Sequence, residues 1–247
     1  MLDRLFADQP VGRYVDIGAN HPVIDSVTKH FSERGWTGVN VEPLPKLYAL
    51  LVEDRPRDTN LQAAVSDQPG PATLFAFYDR HHGLSSLSPD AATAAGVPAS
   101  ELVVDTLTLA EVFAEHAGGP VDFLKIDVEG FEAQVIRSGD WESYRPRVVV
   151  VEATVPMTTI PTHEAWEPML LDAGYRCTLF DGLNRFYARA DDDRALACLS
   201  VPANVTDDYV SYAHASRVAE LEAEVQRLRD ALEGRSSEPP FAPQPPP

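Results

Sequence analysis

Basic residues are scarce in this chain of 247 residues. Lysine and arginine number 20 against 38 aspartates and glutamates, which gives a formal net charge of −18. Because binding to nucleic-acid phosphates depends on basic patches, this composition argues against a nucleic-acid-binding protein. It argues equally against a polybasic segment that attaches to a membrane surface.

Cysteines and long apolar runs are scarce as well. Cys177 and Cys198 are too few for a disulfide framework or a zinc site, and they suit a reducing compartment. No run of about 18 apolar residues indicates a transmembrane helix. The first residues, MLDRLFADQPVGRYVDIGAN, lack the apolar stretch and small-residue cleavage site of a signal peptide. We therefore expect a cytoplasmic protein.

Apolar runs alternate with amphipathic stretches along most of the chain. The pattern predicts strands at residues 13–17, 37–41, 60–65, 72–77, 102–107, 121–126 and 147–151, and helices at 24–34, 46–54, 108–116, 130–138 and 163–173. Four consecutive valines at 148–151 are typical of a strand buried on both faces of a parallel sheet. Strands at 175–180 and 184–190 flank an Asp-Gly turn. We predict an α/β fold whose mostly parallel sheet ends in an antiparallel edge.

The C-terminal segment follows a different pattern. Val218, Leu221, Val225, Leu228 and Leu232 recur at the alternating spacing of coiled-coil a and d positions. The repeat is shorter than the roughly three heptads that predict a coiled coil, so a helix lying on its own domain stays open as the alternative. We predict a main domain at 1–205, a helix at 206–234 and a proline-rich, disordered tail at 235–247.

Acidic residues follow the first two predicted strands. Asp16 and Gly18, in the stretch VDIGAN, end the first strand, where doubly wound sheets bind ligands. The stretch lacks the GxGxxG and GxxxxGKS patterns of phosphate-binding loops, and its aspartate suits a cationic amine. Glu42 ends the second strand, where a carboxylate accepts both hydroxyls of a ribose. A capped turn and a solvated glutamate are the structural alternatives.

A third group of charged residues consists of Lys125, Asp127 and Glu129. They alternate, so they share one side of a strand if that strand continues past Ile126. Two acids and a lysine at the end of a core strand need partners or a function. Lys125 suits the neutralisation of an acid, Asp127 the binding of a cation or proton, and Glu129 a substrate hydroxyl. A structural ion-pair group is the alternative.

These blocks together resemble the FkbM family of class I S-adenosylmethionine-dependent methyltransferases. The resemblance runs from about residue 14 to residue 155 and rests on VDIGAN with the later VEP, on NLQAAVSDQPGPATLF, and on VDFLKIDVEGFEAQVIRSGDW followed by RPRVVVVE. It implies a Rossmann-like seven-stranded sheet with a reversed last strand. It also implies methyl transfer to oxygen, frequently on a sugar or a polyketide-type product.

The resemblance implies site residues too. The cofactor-binding residues are Asp16, Gly18 and Asn20 at the methionine end, Glu42 at the ribose, Ser66 and Asp67 near the adenine, and Asp127 facing the active site. His21 and Pro22 depart from the small or glycine-containing loop that many family members have after the asparagine. Contacts from this loop are therefore the least defined part of the assignment.

Methyl transfer to a hydroxyl requires a proton acceptor beside that hydroxyl. The candidates are Asp127 and Glu129, followed by His82 and His21. His82 lies in the loop HHGLSS, which is able to cover the site, and a histidine titrates near neutrality; a solvated loop histidine is the alternative. A magnesium or calcium ion held by Asp127, Glu129 and Glu152 is conceivable. No ligand spacing supports it, and no metal site is assigned.

The sequence thus predicts an S-adenosylmethionine-dependent O-methyltransferase that acts on a hydroxyl of a sugar, glycan or glycosylated natural product. A nucleotide-dependent oxidoreductase would need a glycine-rich turn that the chain lacks. A catalytically inactive scaffold that assembles through the C-terminal helix is the alternative. The partners we expect are the hydroxyl substrate and, through the helix, a second copy or an enzyme of the same pathway, and neither nucleic acid nor membrane.

Overall fold

The computed structural model describes residues 1–207, 210 and 212–236. The chain divides into two compact units, Met1–Ala203 and Asn204–Pro247. In the first unit the strands are β1 (Arg13–Ile17), β2 (Thr37–Val41), β3 (Thr59–Leu61), β4 (Ala64–Val65), β5 (Gly70–Ala76), β6 (Ser100–Leu107), β7 (Phe123–Ile126), β8 (Val148–Glu152), β9 (Tyr175–Phe180) and β10 (Asn184–Arg189). Its helices are α1 (Leu2–Phe6), α2 (Lys29–Glu33), α3 (Pro45–Asp54), α4 (Pro89–Ala94), α5 (Leu109–Glu111), α6 (Glu132–Arg137), α7 (Glu167–Asp172) and α8 (Asp193–Leu199). The second unit contains α9 (Tyr212–Ser236).

The main sheet has seven strands in the order β3-β2-β1-β7-β8-β10-β9. The five strands β3, β2, β1, β7 and β8 pair in parallel with their neighbours, whereas β10 is antiparallel to both β8 and β9. The four valines of β8 are all buried, as expected for a central strand. The predicted α/β fold, with a Rossmann-like, mostly parallel sheet and antiparallel pairing at one edge, is confirmed. The strand order reverses between β1 and β7, so a crevice opens at their carboxyl ends.

A second sheet covers part of this crevice side of the molecule. It has three strands in the order β4-β6-β5, with β4 parallel and β5 antiparallel to β6. The single strand predicted at residues 60–65 is therefore wrong. The chain leaves the main sheet after Leu61 and joins the second sheet at Ala64. An uninterrupted apolar run cannot show that its two halves pair with different strands.

The segment after β1 also differs from the prediction. A helix was expected over 24–34, but α2 begins only at Lys29. His21 Nδ1 accepts hydrogen bonds from the amides of Val23 and Ile24, at 3.1 and 3.0 Å, and the buried Arg55 donates to the carbonyl of Pro22 at 2.5 Å. These contacts hold the segment in a non-helical path. Ile24, which the helical pattern counted as inward-facing, is 44% exposed.

Helices α1 and α8 are among those that the sequence did not predict. In the structure α1 and α8 contact one another, and Phe6 and Leu199 belong to one buried apolar cluster with Phe31, Trp36 and Phe123. In addition, Arg4 donates to the carbonyl of Cys198 at 2.8 Å. Both helices are shorter than the window of roughly 11 residues or more over which a helical pattern of apolar residues is recognised in a sequence.

The second unit is described as far as Ser236. The predicted proline-rich tail starts at residue 235, whereas α9 continues to Ser236, and residues 237–247 of that tail lie outside the described residues. The domain boundaries proposed from the sequence stay predictions. Among the described residues, no helix combines the length and the apolar character that crossing a membrane requires.

Candidate active site

The carboxyl ends of β1, β2 and β7 meet at Gly18. Its backbone has a φ of 77°, and its amide donates to the carbonyl of Val41 at 3.1 Å. A Cβ at this position would lie 1.9 Å from the carbonyl oxygen of Asp127. Only glycine permits this approach, because any side chain would collide with the backbone that follows β7. The two loops that carry the candidate residues are thereby held against one another.

Glu42 is fixed by the loop after β1. Its Oε2 accepts a hydrogen bond from the amide of Asn20 at 2.8 Å, and its Oε1 accepts one from the amide of Leu44 at 2.9 Å. Glu42 is only 4% exposed. Burial raises the pKa of Glu42 to about 7, although these two hydrogen bonds act to lower it. Each oxygen keeps acceptor capacity, so the carboxylate is preoriented to receive further donors.

Lys125 links β1 to the loop after β7. Its ammonium lies 3.2 Å from Asp16 Oδ1 and 3.3 Å from Asp127 Oδ2, and it donates to the carbonyl of Gly18 at 2.9 Å. Burial acts to lower the pKa of Lys125, but the carboxylates of Asp127 and Asp16 raise it further, so the net shift is upward. The lysine is therefore a permanent cation that neutralises acids on both sides, a role that the sequence suggested.

Asp16 lies behind the site. It is buried, and its Oδ2 accepts a hydrogen bond from Thr28 at 2.8 Å while Oδ1 faces Lys125. The sequence placed Asp16 against the cofactor, but the residues that line the main cavity described below do not include it. In the described structure Asp16 acts on the site through Lys125.

Three carboxylates, which we call the acid cluster, converge beyond Lys125. Oxygens of Asp127, Glu129 and Glu152 all lie within 4.8 Å of one another. The alternation argument for Asp127 and Glu129 is wrong, since β7 ends at Ile126 and Glu129 adopts a left-handed φ of 54°. Burial, and then the negative charge of Asp127, raises the pKa of Glu129 and of Glu152. The cluster is therefore able to hold a proton at neutral pH.

Glu132 and Ser86 shape the turn that carries Glu129, and the sequence assigned neither a role. Glu132 Oε1 accepts hydrogen bonds from the amides of Val128 and Gly130, at 3.3 and 3.0 Å. Ser86 Oγ donates to the carbonyl of Glu129 at 2.7 Å. Burial raises the pKa of Glu132 to about 7. A sequence signal for Glu132 did exist, because it is a third acidic residue at the start of a predicted helix. A carboxylate there is well placed to accept hydrogen bonds from nearby backbone amides.

One cavity collects most of the predicted site residues. Its lining includes Gly18, Asn20, Glu42, His82, Asp127 and Glu129 on its polar side, and Ala63, Ala64, Val65, Leu74 and Phe131 on its apolar side. The mixture of a broad apolar wall with a few polar groups is typical of a small-molecule site. We refer to this space as the main cavity.

Unpaired polar atoms surround the main cavity. Among the described residues, Asn20 Oδ1, His82 Nδ1 and Glu129 Oε2 are buried without a hydrogen-bond partner. Burial, then the neighbouring His21 ring and the Lys46 ammonium, lowers the pKa of His82, so the His82 ring is neutral and able to accept a proton. His21, by contrast, uses Nδ1 to accept two backbone amides and does not line the cavity.

Ser66 and Asp67 lie beside the main cavity. Ser66 accepts from the amide of Gln68 at 3.1 Å, and Asp67 forms an ion pair with Arg137 at 2.8 Å. Both line a neighbouring cavity, which shares Leu87 and Phe131 with the main one. The described structure thus does not bring these two residues to the wall of the main cavity, because the chain turns into β5 immediately after them.

A family of known proteins matches a large part of this chain. The chain matches the family profile described as methyltransferase FkbM domain over residues 16–177. No curated protein matches the chain. The matched range includes every site residue described above and ends before α8 and α9.

Solved structures with a similar fold include several methyltransferases. Magnesium protoporphyrin IX methyltransferase of Synechocystis PCC 6803, with bound SAM, is 12% identical with a TM-score of 0.38, and the match covers 75% of this chain and 74% of that chain. A TehB-like SAM-dependent methyltransferase of Corynebacterium glutamicum is 9% identical, with a TM-score of 0.42 and coverage of 75% and 85%. Fibrillarin of Aeropyrum pernix with natively bound S-adenosyl-L-methionine is 17% identical, with a TM-score of 0.39 and coverage of 72% and 66%.

Proposed function

Because this chain belongs to the FkbM family of methyltransferases, we propose that it methylates a hydroxyl group of a sugar, in a glycan or a glycosylated natural product, with S-adenosylmethionine as donor. The observation that carries the proposal is the set of unpaired polar atoms of Asn20, His82 and Glu129 around one cavity. Buried polar atoms without partners cost free energy unless a ligand pairs with them. A scaffold that binds no small molecule would have no use for this arrangement.

The lining of the main cavity supports the proposed cofactor. Glu42 offers two preoriented carboxylate oxygens to the ribose hydroxyls, and Asn20 Oδ1 is available to a donor at the methionine end. The wall formed by Ala63, Ala64 and Leu74 is apolar and suits an adenine ring. When bound, S-adenosylmethionine supplies an electrophilic methyl group on a positively charged sulfur. Gly18, which has no side chain, lines the cavity and allows a ligand to approach the backbone closely.

The acid cluster supplies the proton acceptor in this proposal. Asp127 and Glu129 line the cavity, and either carboxylate takes the proton of the acceptor hydroxyl as the oxygen attacks the methyl group. Glu152 shares the proton from behind. His82, neutral and on the opposite loop, orients the hydroxyl or serves as the alternative acceptor. In this proposal the protein accelerates methyl transfer by positioning the acids and the substrate hydroxyl, and it forms no covalent bond with the substrate.

A divalent cation is the competing role for the acid cluster. Oxygen ligands suit magnesium or calcium, but the ammonium of Lys125 already lies 3.3 Å from Asp127 and repels a second cation. We therefore expect methyl transfer to continue in excess EDTA. A loss of activity in EDTA that magnesium or calcium restores would assign the cluster to metal binding instead.

The proposal is tested first by cofactor binding. Titration calorimetry with S-adenosylhomocysteine is expected to show one site, and Glu42→Ala is expected to weaken binding about tenfold or more, since a charged hydrogen-bonding partner of the ribose is lost. Glu53→Gln, on the exposed face of α3, is the matched control and is expected to bind normally. Absence of binding at millimolar ligand would contradict the proposal.

The acceptor is tested separately. Purified protein and S-adenosylmethionine carrying a labelled methyl group are incubated with glycans and glycosylated natural products, and mass spectrometry locates the added mass. We expect base-stable methyl ethers on sugar hydroxyls. Methyl groups found only on nitrogen, sulfur or carboxyl oxygens would retain the methyltransferase and refute the hydroxyl acceptor.

A further inference from the structure

Helix α9 carries an exposed apolar stripe formed by Val218, Leu221, Val225, Leu228 and Leu232. The exposed fraction of these residues ranges from 39% for Val218 to 67% for Leu232. Isolated exposed apolar residues are common on proteins, but five that follow one face of a helix form a surface suited to a partner. The family match ends at residue 177, so this surface lies outside the methyltransferase region. We propose that the stripe binds the stripe of a second copy of this chain as a parallel, in-register, two-stranded coiled coil.

The residue types along the stripe favour two parallel strands. Val218, Val225 and Leu232 occupy a positions, and Leu221 and Leu228 occupy d positions. Valine at a with leucine at d favours parallel dimers over higher oligomers. An in-register parallel pair stacks all five residues on their own copies. An antiparallel pair matches a with d positions, and three a residues cannot all find partners among two d residues.

The flanking charges are complementary in the same arrangement. The g positions hold Arg217 and Glu224, and the e positions hold Glu222 and Arg229. In a parallel pair each g residue meets the e residue five places later in the second copy, because the two helices run side by side in one direction. Arg217 then faces Glu222 of the second copy, and Glu224 faces Arg229 of the second copy. Both contacts join opposite charges, and the twofold axis repeats each of them.

Within one helix these charges are now satisfied only at the surface. Arg217 pairs with Glu220 at 2.9 Å and Glu224 with Arg227 at 2.6 Å, and all four side chains are about half or more exposed. Exposed pairs of this kind contribute little and exchange partners easily. Formation of the coiled coil therefore requires no buried contact to be broken. Because the repeat is short, dimerisation is expected to depend on protein concentration.

Charge-reversed variants of the full chain test whether the partner is a second copy of this chain. The double variant Arg217→Glu, Arg229→Glu makes all four flanking positions acidic, and Glu222→Arg, Glu224→Arg makes them all basic. Sedimentation equilibrium is expected to find wild-type protein dimeric at high concentration, each variant at least tenfold weaker in self-association, and the equimolar mixture restored to a dimer. Asp230→Lys, at the outer f position, is the control and is expected to dimerise as wild type does.

Disulfide trapping checks the direction of the helices. In a Cys177→Ser, Cys198→Ser background, Val218→Cys alone is expected to crosslink to a second copy on oxidation, since like a positions are adjacent only in a parallel pair. Crosslinks that require Val218→Cys and Leu228→Cys on different chains would refute the parallel arrangement, because an antiparallel pair brings this a position opposite that d position. Wild-type protein that stays monomeric at every concentration, or a dimer that Leu221→Glu does not weaken, would overturn the proposal. Thermal unfolding of the variants, followed by circular dichroism, shows that the first unit remains folded, and this control does not depend on the proposed function.

Discussion

Lys125 is the residue on which the charge arrangement of the site depends. Its ammonium contacts Asp16 on β1 and Asp127 in the loop after β7. Asp127 lines the main cavity and Asp16 does not, so Lys125 connects a carboxylate of the site to a buried carboxylate behind it. The sequence predicted that a lysine would neutralise acids here. It did not predict that Asp127 lines the cavity while Asp16 lies behind it. Strand alternation predicts the face on which a side chain lies, but not how far the cavity extends.

At the residue scale we predict different outcomes for two aspartates that the sequence grouped together. Asp127→Asn is expected to lower kcat about 100-fold or more, because an amide cannot take the proton of the acceptor hydroxyl, while affinity for S-adenosylhomocysteine changes little. Asp67→Asn is expected to leave both quantities within about threefold of wild type, since Asp67 pairs with Arg137 outside the main cavity.

Steady-state kinetics and calorimetry on the two variants provide the measurement. An Asp127→Asn enzyme with unchanged kcat would remove Asp127 as the proton acceptor and direct attention to Glu129 and His82. A large loss of binding in Asp67→Asn would place the adenine near the neighbouring cavity, as the resemblance implied.

At the scale of elements, the sequence predicted the main sheet well and its connections poorly. The buried strands β1, β2, β7 and β8 are short apolar runs with clear ends, so their positions follow from composition. The split of residues 60–65 between two sheets, and the left-handed turn at Glu129, depend on contacts with residues distant in the chain. Such contacts leave no local pattern. The convergence of Glu152 with Asp127 and Glu129 likewise required the order of strands to be known.

The close packing of the loops after β1 and β7 yields an element-scale prediction. Gly18→Ala adds a Cβ 1.9 Å from the carbonyl of Asp127 and places alanine at a positive φ, whereas Gly35→Ala adds only the positive φ, with no atom within 4 Å. Gly35→Ala, the control, is expected to lower the free energy of unfolding by about 1–2 kcal/mol. Gly18→Ala is expected to cost clearly more and to abolish cofactor binding. Urea denaturation of both variants measures the difference, and equal losses would contradict the inferred collision.

At the scale of the whole molecule, buried acids make stability depend on pH. Burial raises the pKa of Glu42 and of Glu132 to about 7, above the ordinary value of 4.5. Each group therefore stabilises the fold below pH 4.5, and this contribution is lost as the pH rises through 7, because a charged carboxylate must then remain buried. The unfolding free energy of the protein without ligand is expected to fall between pH 5 and pH 8.

Glu132→Gln tests this expectation, since glutamine keeps an oxygen for the amides of Val128 and Gly130 but does not titrate. Denaturation at pH 5 and pH 8 is expected to show a decrease smaller than that of wild type by about 2 kcal/mol, the value of a shift of this size over that interval. Glu53→Gln, at an exposed position, is expected to follow wild type. An identical decrease in the Glu132→Gln variant would refute the contribution of this carboxyl.

The acidic lining of the main cavity also bears on how the enzyme sheds its spent donor. Glu42, Asp127 and Glu129 line the cavity, whereas Lys125, which pairs with Asp127, is buried and does not line it. A sulfonium carries positive charge and the thioether left after transfer carries none. In the proposed reaction, those carboxylates that are deprotonated attract the fresh donor more strongly than the by-product. The same acids that favour loading would therefore limit inhibition by accumulated product.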